Sequence, residues 1–440
     1  MKKTALLLFF LIIAGQALGK STIGRVTFGS YFSDENFKRN TAEGKSNDFL
    51  IFSSRFYLKG DKAAPYNHDF ALDLRGKYDF YGKLDKDKQT LHDEYDAHPR
   101  QAYIKKSRRS HGLEYQLGRF SVDGVGINYV DGLQTNYKLN STFKLGAYGG
   151  LIPKLTGEQK YSFNSKSKQS GVLLFFRPRR LGFRKYFFSS HGFSIQGYGS
   201  QTDRSFLHSH NSYIWGRRGR FYSNIVLDFV PRTFLQKGDF SISSDLSKKV
   251  SAELGWGTHD NLAISRSKTK REVKYSNRYG EVTTKLSYDF WEYNGIFIEG
   301  KIQRRKSDSS YSNQSTVGLD FPRFLKKEFS LYSYFSFRND YEKKEYKANL
   351  ALSYFARLWE LFIDQSISQQ NYDNNQVLRP IVAELGWAYF WARGLMTTFS
   401  YQYSTNANVD IYQVLFKLSY RFGSKPSAPL REGAPKKGHL

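Results

Sequence analysis

The segment Ile411–Phe422 reads IYQVLFKLSYRF, and its side chains sort by parity. Val414, Phe416, Leu418, Tyr420 and Phe422 fall on one face, while Gln413, Lys417, Ser419 and Arg421 share the other with Leu415 as the exception. A two-residue period with one apolar and one wet side describes a strand lying between two media. The pattern is clearest at residues 70–80, where Phe70, Leu72, Leu74, Tyr78 and Phe80 oppose Asp73, Arg75, Lys77 and Asp79. A helix, with its 3.6-residue period, does not produce that order. Outward from these two segments, runs of about nine to eleven residues, the length of a tilted membrane strand, recur along the chain and number about 22. The expected fold is all-β, a transmembrane antiparallel up-and-down β-barrel with an even strand number of about 16 to 22.

Composition agrees with that pattern without revealing it. The 440 residues contain no linker that divides them. A mean hydropathy of -0.59 excludes a bundle of membrane helices. It does not exclude a barrel, whose strands alternate lipid-facing and water-facing residues and average out polar. The 32 Tyr and 37 Phe exceed what a soluble core needs and suit the aromatic girdles at two membrane interfaces. The absence of cysteine excludes disulfides, thiol catalysis and a lipidated N-terminal Cys.

Residues 1–19 read as an export signal, with Lys2 and Lys3 before an apolar run and Ala17-Leu18-Gly19 as a small-x-small cleavage site. The expected division is a signal peptide at 1–19, the barrel at 20–422, and a disordered basic periplasmic tail at 423–440 containing Pro426, Pro429 and Pro435. No room is left before the first strand for a plug domain, which disfavours a siderophore-type transporter. If the first strand starts from the periplasm, Ser33 to Ser46, Tyr81 to His98, Ile152 to Gln169 and Asp260 to Glu281 are long outer connections. Asn140-Ser141, Gly216 to Gly219 and Lys248-Lys249 are tight inner ones.

Two stretches resemble known proteins. The closing Tyr420-Arg421-Phe422 is similar to the last strand of bacterial outer-membrane barrels, and the resemblance makes Phe416, Leu418, Tyr420 and Phe422 an assembly signal read by the barrel-assembly machinery. Residues 99–151 resemble porins of Gram-negative bacteria: RQAYIKK, then LEYQLGRF ending Gly-Arg-aromatic, then Asp-Gly opening DGLQTNYKLNSTFKLGAYGG. What this implies is a water-filled pore. In such porins the place of Ser121 to Tyr129 is taken by a loop that can fold inward, which would set Asp123 at a constriction.

The wet faces of the clearer strands give the expected pore lining: Asp73, Arg75, Lys77, Asp79, Lys138, Lys144, Lys285, Asp289, Glu299, Lys301, Glu384 and Lys417. Bases and acids nearly balance on these faces, although the chain carries +27. The excess falls at the expected periplasmic rim, on Lys105, Lys106, Arg108, Arg109, Arg179, Arg180, Arg217, Arg218, Lys248, Lys249, Lys326 and Lys327. Such a rim anchors to anionic head groups at about 1 kcal/mol per base, or it gathers an anionic solute, polymer or acidic periplasmic partner at the pore mouth.

Enzymatic readings are thin. His208 and His210 share a strand face and offer two imidazoles to a metal, but no third ligand is near and a polar lumen face accounts for them. Ser209 and Ser212 beside them suit a nucleophile arrangement as in barrel phospholipases or proteases, whose motifs the chain does not carry. Nucleic-acid binding is not expected despite a pI near 9.8, because the bases are not interleaved with aromatics on a compact module. The expectation is a non-enzymatic outer-membrane channel without cofactor, passing small polar and anionic solutes. The alternatives are an exporter of an anionic polymer loaded at the basic rim, and a plugged barrel acting as adhesin or assembly platform.

Overall fold

The structure, a computed structural model, describes residues 22–37, 47–63, 68–79, 95–107, 112–123, 129–153, 166–178, 185–216, 219–230, 233–266, 271–291, 294–305, 307, 309–324, 328–391 and 394–423. The expected export signal and almost all of the tail therefore lie outside the described residues, as do Arg108, Arg109, Arg179, Arg180, Arg217, Arg218, Lys326 and Lys327.

Twenty-two long strands run from Thr22–Phe37 to Val409–Gly423, joined by a two-residue strand, Val377–Leu378. Each long strand pairs antiparallel with the next along the chain, and the first pairs with the last from Ile23↔Gly423 to Phe37↔Val409. A sheet closed in this way has no edge and leaves no row of unpaired amides. With an even strand count the start of the first strand and the finish of the last lie at the same end of the barrel, here called the terminal end. Every expected run overlaps one observed strand.

Solvent exposure settles which face meets which medium. Leu113, Leu133, Val172 and Ile298 are 51%, 44%, 58% and 59% exposed, whereas the adjacent Glu114, Gln134, Leu173 and Phe297 are 5%, 0%, 3% and 4% exposed. Large apolar side chains half open on one continuous surface imply a hydrocarbon surrounding. Two belts of ring contacts bound that surface. At the terminal end, Phe143, Phe176, Phe187 and Tyr213 follow one another at 4.9, 5.5 and 6.2 Å. The belt reappears at Phe329, Tyr354 and Trp359 (4.7 and 5.1 Å) and at Tyr389 and Trp391 (4.5 Å). At the opposite end lie the pairs Phe337–Tyr346 and Tyr403–Tyr412, each 5.1 Å apart. Phe329 and Phe337 share one strand, so the belts stand about 26 Å apart along it, the scale of the apolar band of a membrane barrel.

One connection differs from expectation. Asp260 to Glu281 is not a loop: the strands Val250–Arg266 and Arg271–Trp291 continue through it, paired from Asn261↔Ser276 to Arg266↔Arg271. The ladder that replaces the loop is continuous in register apart from one irregularity after His259, so the backbone amides of both strands are paired there rather than left to solvent.

Candidate functional site in the lumen

Three sectors of the inner wall carry different chemistry. The first is built on the strand Gly112–Ser121. Ser121 pairs with Tyr129, yet two residues later Asp123 accepts a hydrogen bond from Lys105 Nζ at 3.0 Å and its own N–H donates to Gln134 Oε1 at 3.3 Å. Lys105 and Gln134 both lie in the register row of Gln116, so the chain past Ser121 turns inward and back down the wall. Val122 seats itself against Phe120 and Val130 in a cluster with Tyr148, Leu173, Phe175 and Phe206. A groove of about 310 Å³ remains between this segment and Gln101, Tyr103, Lys105 and Gln116. The inward fold expected of Ser121 to Tyr129 is thus seen in its first residues; residues 124–128 lie outside the described ones.

The same sector keeps its polar groups satisfied. Glu114 takes Lys138 at 2.9 Å and Lys144 at 3.7 Å, which places both expected lining lysines on the inner wall. Tyr148 Oη shares a hydrogen bond with Ser194 Oγ at 2.6 Å and accepts one from Gln169 Nε2 at 2.7 Å. Arg204 spans Asp228 through Nε and Nη2. His208 Nε2 donates to Asn224 Oδ1 at 2.9 Å, and His210 packs between Phe188 and Tyr222, so the two imidazoles serve the wall. No group of three metal-ligating side chains occurs among the described residues.

The second sector is the wall around the closure. By register, Lys417 and Arg421, Arg25, Arg55 and Lys59, and Arg75 and Lys77 project inward from four adjacent strands, with Asp69 and Asp73 as the acids among the described side chains. Arg55 grips Asp73 through Nε and Nη2, both at 2.8 Å, while Arg75 Nε stands 4.0 Å from the same carboxylate. That Nε is shielded from solvent and makes no hydrogen bond. Arg100, whose Nε donates to Tyr129 Oη at 3.2 Å, adds a further positive charge beside Arg75. Among the described side chains, guanidiniums therefore outnumber carboxylates here. Asp79 ends its strand with its side chain outside the described residues.

The third sector is acid-rich. Lys285 lies in register between Glu253 and Glu299, Lys301 pairs with Glu281 at 2.8 Å, and Asp364 faces Glu384. Asp289 and Asp320 share this inner face. The near balance expected of the lining hides a segregation, bases near the closure and acids beyond. Arg25, Arg55, Lys59 and Arg100 are the residues the sequence reading passed over. Arg55 and Lys59 alternate with Ser53 and Tyr57, a signal that was available. Arg100 sits at a register shift opposite Asp73 and Leu74, where parity assigns no face.

Of the rim residues, Lys248 and Lys249 are exposed in the turn 246–249 at the terminal end. Lys106 closes its strand at that end, and Lys105 beside it turns into the lumen. Phe416, Leu418, Tyr420 and Phe422 lie on the outer face of the last strand, where Tyr420 and Phe422 stack at 6.0 Å.

Fold and lining define a closed membrane-type β-barrel with a polar interior. No protein-family model matches the chain, and no curated protein matches it. Among solved structures, the barrel is similar to a ferric enterobactin receptor mutant of Pseudomonas aeruginosa, with a TM-score of 0.54 and 9% identity over 92% of this chain and 81% of that one. This likeness speaks to the fold alone. OccAB4 of Acinetobacter baumannii (TM-score 0.45, 8% identity, 91% of this chain and 98% of that one) and OpdQ of P. aeruginosa (TM-score 0.45, 10% identity, 91% and 97%) also match.

Proposed function

We propose that the protein is an outer-membrane channel of a Gram-negative bacterium that passes small polar solutes and prefers anions. The observation that carries the reading is the pair Arg55 and Arg75 around the carboxylate of Asp73, with the charge of Arg100 beside Arg75, set in the wall near the inward-turned Val122 and Asp123. A water-filled lumen screens these charges less than bulk solvent does, because low-dielectric walls focus the field of a charged lining into the pore. An anion that sheds part of its hydration there finds donors that Asp73 leaves unsaturated. The acid-rich wall completes a field across the lumen, which orients a solute carrying a dipole. Its passage needs no bond made or broken, so no catalytic residue is assigned.

Assembly would use the outer-face Phe416, Leu418, Tyr420 and Phe422, and the bases at the terminal end would rest on anionic lipid of the periplasmic leaflet. Purified protein in a planar bilayer tests the channel directly. Stepwise conductance with a reversal potential on the anion side is expected under a KCl gradient, and Arg55→Gln with Arg75→Gln should move that potential toward cation preference. Silence of the wild type would instead support the plugged adhesin or platform. Conductance with an unchanged potential in the variant would remove the arginine group from the account.

A further inference from the structure

A second groove, of about 350 Å³, lies in the acid-rich sector and differs in kind from the basic wall. It spans four neighbouring strands, Asn294–Arg305, Tyr311–Phe324, Phe329–Asn339 and Lys343–Phe355. Its floor is aromatic. Gly318 is paired directly with Phe297, and a Cβ at Gly318 would stand 2.5 Å from Phe297 Cζ, so the missing side chain is what lets that ring lie down on the sheet. Tyr332 then packs nearly parallel to it, 10° between planes and 5.8 Å between centroids. Phe297 is buried at 4% while Tyr332 is 40% exposed, so the tyrosine presents its ring to the lumen above a fixed support. Tyr334 adjoins it at 5.7 Å.

The rim of the groove is polar and balanced in charge. Glu299 and Glu345 offer carboxylates, Arg338 and Lys347 offer donors, and Gln314, whose Nε2 donates to Thr316 Oγ1 at 3.4 Å, offers both. Partners already restrain several of these groups: Arg338 pairs with Asp340 at 2.7 Å, and Glu345 accepts from Gln370 at 2.9 Å. An anion would meet two carboxylates and a cation two bases. A neutral ring with one flat C–H face and hydroxyls around its edge would meet an aromatic floor and alternating donors and acceptors, the combination by which pockets fix a polar ring.

We infer that this groove is a saccharide subsite, so that the lumen carries one lining for anions and another for neutral sugars. Maltose is the probe. Saturation-transfer NMR of maltose with the detergent-solubilised full chain should show transfer to the sugar ring protons, and Tyr332→Ala should weaken binding by about tenfold or more, the loss of one good aromatic contact. Tyr332→Phe, which keeps the ring, should stay within about threefold of wild type by the same arithmetic. Arg55→Gln, on the other wall, should leave maltose binding unchanged. Retention of the heat-sensitive electrophoretic shift of a closed barrel verifies that each variant is folded, and Tyr334→Ala serves if Tyr332→Ala loses it. Absence of transfer in the wild type, or equal transfer in the alanine variants, overturns the subsite. Because this readout needs no current, its failure is distinct from failure of the channel reading.

Discussion

Arg119 and Asp131 show what the porin-like motif does physically. The Gly-Arg-aromatic and Asp-Gly elements come together as a two-pronged ion pair, with Arg119 Nε on Asp131 Oδ1 and Nη2 on Oδ2 at 2.6 Å each, while Nη1 donates to Pro99 O at 2.9 Å. Parity places both side chains on the outer face with Leu117 and Leu133, where charge is costly unless paired. Gly118 holds φ at 121°, a backbone only glycine adopts readily, and a Cβ there would meet Ala102 O at 2.2 Å. The motif is therefore a device for joining three strands. Asp131→Asn leaves the Arg119 guanidinium without its countercharge at the membrane boundary. It should cost on the order of 3 kcal/mol, read as a lower urea midpoint for folding into phosphatidylcholine vesicles. Replacing both residues with leucine should recover most of that loss. Equal destabilisation of the single and double variants would show that the pair is not what the motif provides.

At the level of strands, several glycines sit directly opposite aromatic rings that lie over them, among them Gly24 under Phe422, Gly60 under Phe70, Gly318 under Phe297 and Gly386 under Phe362. The first of these belongs to the closure, where the terminal aromatic of the last strand covers the first. A Cβ at Gly24 would stand 2.1 Å from Phe422 Cζ. Gly24→Ala should therefore reduce the fraction of chain that reaches the heat-sensitive closed form on refolding, and Phe422→Leu in the same chain should restore part of it. Gly29→Ala, whose nearest neighbour is the movable Ser53 Oγ at 2.9 Å, should refold as wild type. Strand existence and order were legible because hydrophobic parity is imposed by the two media on nearly every segment. Parity failed where neighbours override it. Ser189, His191, Ser209, Asn211 and Ser223 share the outer face with Phe193 and Leu207, yet they read as a wet side. They tolerate that face by bonding one another: Ser189 Oγ donates to Asn211 Oδ1 at 2.6 Å, and Asn211 Nδ2 donates to Ser209 and Ser223. The candidate site was legible in part for a related reason. Residue identity gave Asp73 and Arg75, but only the register revealed that Arg55 stands directly across from Arg75 and that Asp123 reaches the Gln116 row.

For the whole molecule the question is which positive charge governs an ion in transit, the inner wall near the closure or the bases at the terminal end. Distance and dielectric separate them. The potential of a solvated base decays over a Debye length of about 8 Å at physiological salt and about 3 Å at 1 M, which is the behaviour expected of turn bases at a rim. Arg55 and Arg75 lie in the wall itself, against Asp73, and an ion passing them is within contact range whatever the bulk salt. Replacing Arg179, Arg180, Arg217 and Arg218 with glutamine should thus lower anion preference at about 0.1 M KCl and leave it nearly untouched at about 1 M. Arg55→Gln with Arg75→Gln should lower it at both. Reversal potentials measured across that salt series distinguish the two walls in one experiment. If the turn variant kept its full effect at high salt, those arginines would have to project into the pore, and the division between a selecting wall and an anchoring rim would fall.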